Sequence, residues 1–275
     1  MGMLDGKVAI ITGSGRGIGA ATAKLLGSQG ALVIVSDLDP APAEETAAAI
    51  RNTGGQAAVI AGDVTDAAFP VQLIKGTLDA FGGIDIIVNN AGYTWDAVIQ
   101  NMTDKQWYAM LDVHTTAPFR ILREASQFIR EAAKKEAAAN GRANPRKVVN
   151  ITSVSGVYGN AGQVNYSTAK AGITGLTKTL AKEWGRYNVQ VNCVCYGFID
   201  TRLTAAKESA EKIQRDGEEI ALGVPDQMRA MAPMLIPLGR PGTPEEAAGP
   251  VLFLSSALAN YVSGIVLEVT GGRAI

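Results

Sequence analysis

Short β-branched runs alternate along this chain with longer, alanine-rich stretches of helical period, and no other feature restricts the fold as much. Strands are predicted at 7–12, 31–36, 56–61, 84–89, 147–152, 189–194 and 265–269, with helices at 17–29, 43–52, 66–81, 104–139, 165–186 and 244–256. Strands separated by helices form βαβ units and a parallel sheet covered on both faces. Strands buried on both faces read as nearly unbroken apolar runs, as 8–11 and 84–88 do. The 275 residues suit one large domain and no break in composition marks a second, so a single α/β domain over 1–275 is expected. The segment 201–242 interrupts the rhythm, with Met228, Met231, Met234, Leu235 and Ile236 set among Pro225, Pro233, Pro237 and Pro241. Long excursions in compact domains are usually functional, and a substrate lid is expected here.

Composition excludes several function classes. With 25 basic and 26 acidic side chains the net charge is −1, which removes the footprint of a nucleic-acid or membrane-surface binder. No apolar run approaches the ~20 residues of a membrane span, and the amino terminus lacks a basic region followed by an apolar run. Cys193 and Cys195, two apart in a strand-like run, point to one face and do not suit an intrachain disulfide. A single histidine makes a zinc site implausible. These features imply a reduced, cytoplasmic protein without metal, membrane anchor or nucleic-acid partner.

The first strand runs into Thr12-Gly13-Ser14-Gly15-Arg16-Gly17-Ile18-Gly19. Glycines at such a strand-to-helix turn let backbone N–H groups approach a pyrophosphate at the helix amino terminus. The pattern is T-G-x-x-x-G-x-G, carried by Gly13, Gly17 and Gly19, with Arg16 and Ile18 between them. A structural turn also uses glycine, but position after the first strand and an acid 18 residues beyond Gly19 point to a dinucleotide. That acid, Asp37, suits ribose hydroxyls and repels a 2′-phosphate, so NAD is expected. Arg16 keeps NADP open, because a guanidinium in this loop could meet a 2′-phosphate.

The fifth strand ends at Ser153, and the next helix carries Tyr166 and Lys170, four apart and so on one helix face. A phenol titrates near ~10, and a neighbouring ammonium favours its phenolate. Tyr166 could then exchange a proton with a carbonyl or hydroxyl oxygen while hydride moves, with Ser153 orienting that oxygen.

As a set, Thr12 to Gly19, Asn89-Asn90-Ala91-Gly92, Ser153 and Tyr166/Lys170 resemble the short-chain dehydrogenases/reductases, from Lys7 to Gly272. The resemblance implies a doubly wound, seven-stranded parallel Rossmann sheet with helices on both faces, and a homotetramer or dimer. It also implies that Asp63 and Val64 flank the adenine, that Asn90, Ala91 and Gly92 line the cofactor cleft, and that Lys170 holds the nicotinamide ribose. Ile199 and Thr201 would contact the nicotinamide amide. The overall sequence looks most like the β-ketoacyl-thioester reductases of the family. Dehydrogenases of sugars, steroids and cyclic alcohols share the motifs, and a catalytically silent cofactor-binding module is a third reading.

Two positions depart from the family pattern. His114 stands where relatives have a catalytic asparagine, and Pro118, which has no N–H, frees the His114 carbonyl from its helical bond. On that ground the carbonyl rather than the imidazole carries the role, although His114 is kept in the catalytic set. Tyr196 stands where relatives have proline; it either shapes the nicotinamide end or packs beneath the lid. The methionine-rich lid suits an apolar or acyl substrate. Arg120, Arg123 and Arg130 could meet an acidic carrier or coenzyme A, or form a solvated helix face. Small residues on more than one face of 104–139 and 165–186 favour a tetramer.

Overall fold

The computed structural model describes residues 2–206, 212–215 and 217–272. The seven expected strands form one sheet: β1 (Val8–Thr12), β2 (Leu32–Ser36), β3 (Gln56–Val59), β4 (Ile86–Asn89), β5 (Arg146–Ser153), β6 (Val189–Tyr196) and, at the carboxyl end, β9 (Val266–Val269). Their order is β3-β2-β1-β4-β5-β6-β9, and every pairing is parallel. Side chains alternate across it: Ala9 and Ile11 enter one apolar cluster, Ile10 the other. Helices α1 (Gly17–Ser28), α2 (Pro40–Asn52) and α9 (Pro244–Ser255) supply the first cluster. The second is closed mainly by α3 (Phe69–Phe81) and α5 (Ala117–Asn140). The α/β Rossmann-like architecture is thus as expected.

The expected helix 104–139 is divided. A capping box of Thr103 and Gln106 starts α4 (Asp104–Leu111), a π-helical turn follows at Asp112–Thr116, and α5 then runs to Gly141, which ends it in a left-handed conformation. Pro118 explains the break: without an N–H it cannot continue the four-residue hydrogen-bond ladder. The short α6 (Val154–Tyr158) and the long α7 (Val164–Trp184) follow β5.

The segment 201–242, where a lid is expected, also differs from a plain excursion. It contains a hairpin of β7 (Lys212–Arg215) and β8 (Glu218–Ala221), then α8 (Asp226–Leu235). Such short strands, with charged side chains at half of their positions, leave no alternating pattern to read. The carboxyl-terminal Arg273-Ala274-Ile275 lies outside the described residues. No helix among the described residues is long and apolar enough to cross a membrane.

Candidate active site

β1 lies between β2 and β4, so chain connections leave it in opposite directions and open a crevice at the carboxyl ends of these strands. A cavity of about 500 Å³ fills that crevice. Every residue singled out as catalytic or cofactor-binding lines it: Gly13, Arg16 to Gly19, Asp37, Asp63, Val64, Asn90 to Gly92, His114, Ser153, Tyr166, Lys170, Ile199 and Thr201. Arg120, Arg123 and the methionines expected to face an apolar substrate, Met231 and Met234, do not line it, and both methionines are exposed.

The glycine loop is built for close approach. Gly13 and Gly17 hold positive φ, at +63° and +55°. A Cβ on Gly13 would lie 2.6 Å from the Ala91 Cα, and one on Gly19 would lie 2.1 Å from the Gly13 carbonyl oxygen. The Asn90 amide group locks the turn, donating to the carbonyls of Thr12 (2.9 Å) and Gly13 (3.0 Å). At the start of α1 no side chain caps the helix, and its first turn carries no acidic residue. First-turn N–H groups left in this way suit the pyrophosphate of a dinucleotide.

Asp37 accepts the backbone N–H of Gly15 at 2.8 Å and that of Asp39 at 3.2 Å, which orients its carboxylate at the cavity wall. Arg16 pairs with Asp39 at 3.0 Å. Asp63 caps its own turn, accepting the N–H and hydroxyl of Thr65 through one oxygen.

At the other end of the cavity, β5 delivers Ser153, which caps α6 by accepting the Ser155 N–H at 3.2 Å. Helix α7 delivers Tyr166 and Lys170 on one face. Burial pushes the Tyr166 phenol up to about 12, opposed by its hydrogen-bonding interaction with Ser153. Burial also brings the Lys170 ammonium down to about 8; it donates to the Ile151 carbonyl at 2.8 Å. In the protein alone, then, desolvation outweighs the phenolate-favouring charge expected from Lys170.

His114 lies on the π turn and is buried. Its Nε2 is 2.7 Å from the Tyr93 carbonyl, an acceptor, so Nε2 carries the hydrogen. Burial first, then the Lys170 charge, hold its pKa well below the usual imidazole range. The neutral ring meets Tyr166 edge-on, with centroids 4.9 Å apart. Space for it exists because residue 92 is glycine: a Cβ there would lie 2.2 Å from Cε1.

Tyr196 is buried, donates its hydroxyl to the Ala247 carbonyl at 2.5 Å, and borders the cavity. Both cysteines are free and buried, and desolvation raises each thiol to about 12, so neither is poised as a thiolate. Arg120 donates to the Thr65 carbonyl at 2.9 Å, and Arg123 lies over the Phe119 ring.

Sequence reasoning missed the groups that brace this set. Asn165 is fully buried; it donates to the carbonyls of Trp95 and Gln106 and accepts the Tyr166 N–H at 2.8 Å. Gln163 accepts from Ser155 and Asn160 and donates to Asp96. Its position three before Tyr166, at the amino-terminal cap of α7, was the available signal for it.

The comparisons with known proteins agree with this geometry. The family model described as short chain dehydrogenase matches residues 7–212. The 3-oxoacyl-(acyl-carrier-protein) reductase FabG of Aquifex aeolicus is 40% identical over 275 residues, covering 98% of both chains. The corresponding Thermotoga maritima protein is 36% identical over 272 residues and 99% of both chains. The short-chain reductase protein NovJ of Streptomyces niveus is 37% identical over 266 residues, 97% of this chain and 93% of the relative. The chain therefore belongs to the short-chain dehydrogenase family, oxidoreductases that act on CH–OH groups with NAD(P) as acceptor.

Proposed function

We propose that the protein interconverts a 3-oxoacyl thioester and its 3-hydroxyacyl counterpart with NAD(H). The observation that carries this reading is the meeting of Ser153, Tyr166 and Lys170 on a cavity that also reaches the glycine loop and Asp37. Relatives named as 3-oxoacyl reductases along the whole chain support the substrate class. Phe198, and Leu203 and Val224 from the segment 201–242, line the cavity and suit an apolar acyl group.

The residues present fit a dinucleotide. The turn from Gly13 to Gly19, with Arg16, Gly17 and Ile18, would hold its pyrophosphate and Asp37 its adenosine ribose. Asp63 and Val64 would flank the adenine. Asn90, Ala91 and Gly92 would line the cleft, and Lys170, Ile199 and Thr201 would hold the nicotinamide end. The Asp37 carboxylate and the pairing of Arg16 with Asp39 favour NAD over NADP. When bound, the nicotinamide supplies or accepts the hydride.

The protein's own groups handle the proton. Tyr166, kept protonated by burial, donates to the carbonyl oxygen during reduction, while Ser153 donates a hydrogen bond to the same oxygen. Lys170, protonated below about 8, is the cation that makes loss of the Tyr166 proton less costly. His114 acts as a positioning residue, holding the Tyr93 carbonyl and the edge of the Tyr166 ring. A single domain with 201–242 as its lid and a homotetrameric assembly complete the reading; exposed Tyr108 and Phe119 on α4 and α5 support the latter.

The test is NADH and NADPH oxidation with acetoacetyl thioesters beside a panel of cyclic ketones. NADH-dependent reduction of the thioester, lost in Tyr166→Phe, is expected. A preference for NADPH overturns the reading of Asp37, and turnover of cyclic ketones alone overturns the acyl assignment. Cofactor binding without turnover, unchanged in Tyr166→Phe, indicates a silent module.

A further inference from the structure

The lid hairpin carries four charged side chains at described positions, Lys212, Arg215, Glu218 and Glu219, and Lys105 of α4 docks onto it, which makes five. Four of them are paired. Lys212 meets Glu219 at 2.6 Å, and Lys105 meets Glu218 at 3.2 Å. Farther along the lid, Arg229 pairs with Asp200 and Arg240 with Glu246. Arg215 is different. Among the described residues no carboxylate pairs with it, and its one hydrogen bond runs from Nη1 to the neighbouring Gln214 carbonyl at 2.7 Å. It nevertheless lines the cavity, with its guanidinium 5.6 Å from the centroid of the buried Tyr93 ring.

A guanidinium offers five donors in a planar fork, and one held against an aromatic face has lost much of the freedom that binding would otherwise remove. A charge brought to a cavity wall without a counter-charge is compensated when a ligand supplies one. Tyr93 also ties this position to the reacting end, because its carbonyl accepts from His114, whose ring touches Tyr166. Asp96 also lines the cavity, where its carboxylate accepts from the Gln163 side-chain amide at 2.9 Å.

We propose that Arg215 is an anion subsite of the substrate cavity, so that the compound turned over here carries a carboxylate or phosphate that reaches the lid hairpin. The inference rests on the oxidoreductase reading of the cavity. Two sources share this chemistry: a carboxylate on the substrate itself, or the phosphate of a phosphopantetheine arm on a thioester.

The test compares matched pairs that differ by one anionic group. Isothermal titration of the cofactor-loaded enzyme measures 4′-phosphopantetheine against pantetheine, and acetoacetate against acetone. Kinetics measure kcat/KM for acetoacetyl-phosphopantetheine against the neutral acetoacetyl-N-acetylcysteamine. A charge-assisted contact predicts a preference of about tenfold or more for the anionic member of one pair, and which pair shows it identifies the source. In Arg215→Gln that preference collapses toward one, while Arg215→Lys keeps part of it. No preference in either pair, or one that survives Arg215→Gln, overturns the proposal. Absence of turnover with every ketone overturns the oxidoreductase reading instead, and the titrations still decide whether Arg215 binds an anion.

Discussion

The packing of Gly92 against His114 predicts a cost that can be worked from the contacts. An alanine Cβ at position 92 would lie 2.2 Å from the imidazole Cε1 and 2.7 Å from Nδ1. Carbon atoms rest at about 3.5–4.0 Å, so the ring would have to retreat by more than about 1 Å. The Nε2 bond to the Tyr93 carbonyl is 2.7 Å long, and such a retreat carries it past hydrogen-bonding distance. Tyr166 already meets the ring edge-on, with centroids 4.9 Å apart, and His114 is buried, which restricts where the displaced atoms can go. Leaving a buried donor or acceptor unpaired costs about 1–3 kcal/mol, and overpacking costs about 1–3 kcal/mol. Gly92→Ala should therefore destabilise the protein by about 2–6 kcal/mol, roughly 30- to 20,000-fold in the unfolding equilibrium. Backbone strain does not enter, since Gly92 is not among the glycines with positive φ. In a His114→Ala background the clash is absent, and the smaller conformational freedom of the unfolded alanine chain should make Gly92→Ala neutral or stabilising by up to about 1 kcal/mol. Urea unfolding of the four cofactor-free proteins forms a double-mutant cycle that isolates the pair. Equal costs of Gly92→Ala in both backgrounds would refute the reasoning.

Removing the Tyr166 hydroxyl in Tyr166→Phe should lower kcat by about 10²- to 10⁴-fold, the usual scale of a positioned acid or base, whereas His114→Asn should keep substantial activity; equal losses in steady-state assays would give the imidazole a chemical role. Asp37→Ser should move the ratio of NADH to NADPH efficiency toward NADPH, and an unchanged ratio would remove Asp37 from cofactor choice. Lys170 has a lowered folded-state pKa, about 8, so its ammonium form is disfavoured by folding. Below pH 8 that burden is fully present, and it is relieved as pH rises from about 8 toward ~10.4, the unfolded value. Lys170→Met should thus abolish turnover yet raise apo-protein stability at pH 7 by on the order of 2–3 kcal/mol, with the gain shrinking above pH 8; thermal unfolding across pH checks it. Reduction of ketone by the native enzyme should also fall as pH rises through about 8, and a flat kcat profile to pH 10 would count against Lys170 as the cation behind Tyr166.

The strands of the main sheet were legible because each is a short apolar run bounded by turn residues, and strands buried on both faces leave that mark in any sequence. The glycine loop, Asp37, Ser153 and the Tyr166/Lys170 pair were legible because their spacing is local: a turn, a strand end, one helix face. The π turn was half visible. Pro118 announced a missing hydrogen bond, but only the fold shows a whole turn rewound around His114. The hairpin Lys212 to Ala221 left no periodic trace, since most of its residues face solvent.

Along the chain, then, residue order determined the βαβ succession and the glycine turn after β1, and with the family resemblance it named the candidate reacting side chains. Tertiary structure decided what those side chains are: Tyr166 an acid near 12 rather than a ready base, Lys170 a cation near 8, and His114 a neutral brace. It also decided that Arg215, on the hairpin, meets no carboxylate among the described residues. Protonation and pairing depend on desolvation and on neighbours that are distant in sequence, as Tyr93 and Arg215 are, and no local spacing records them.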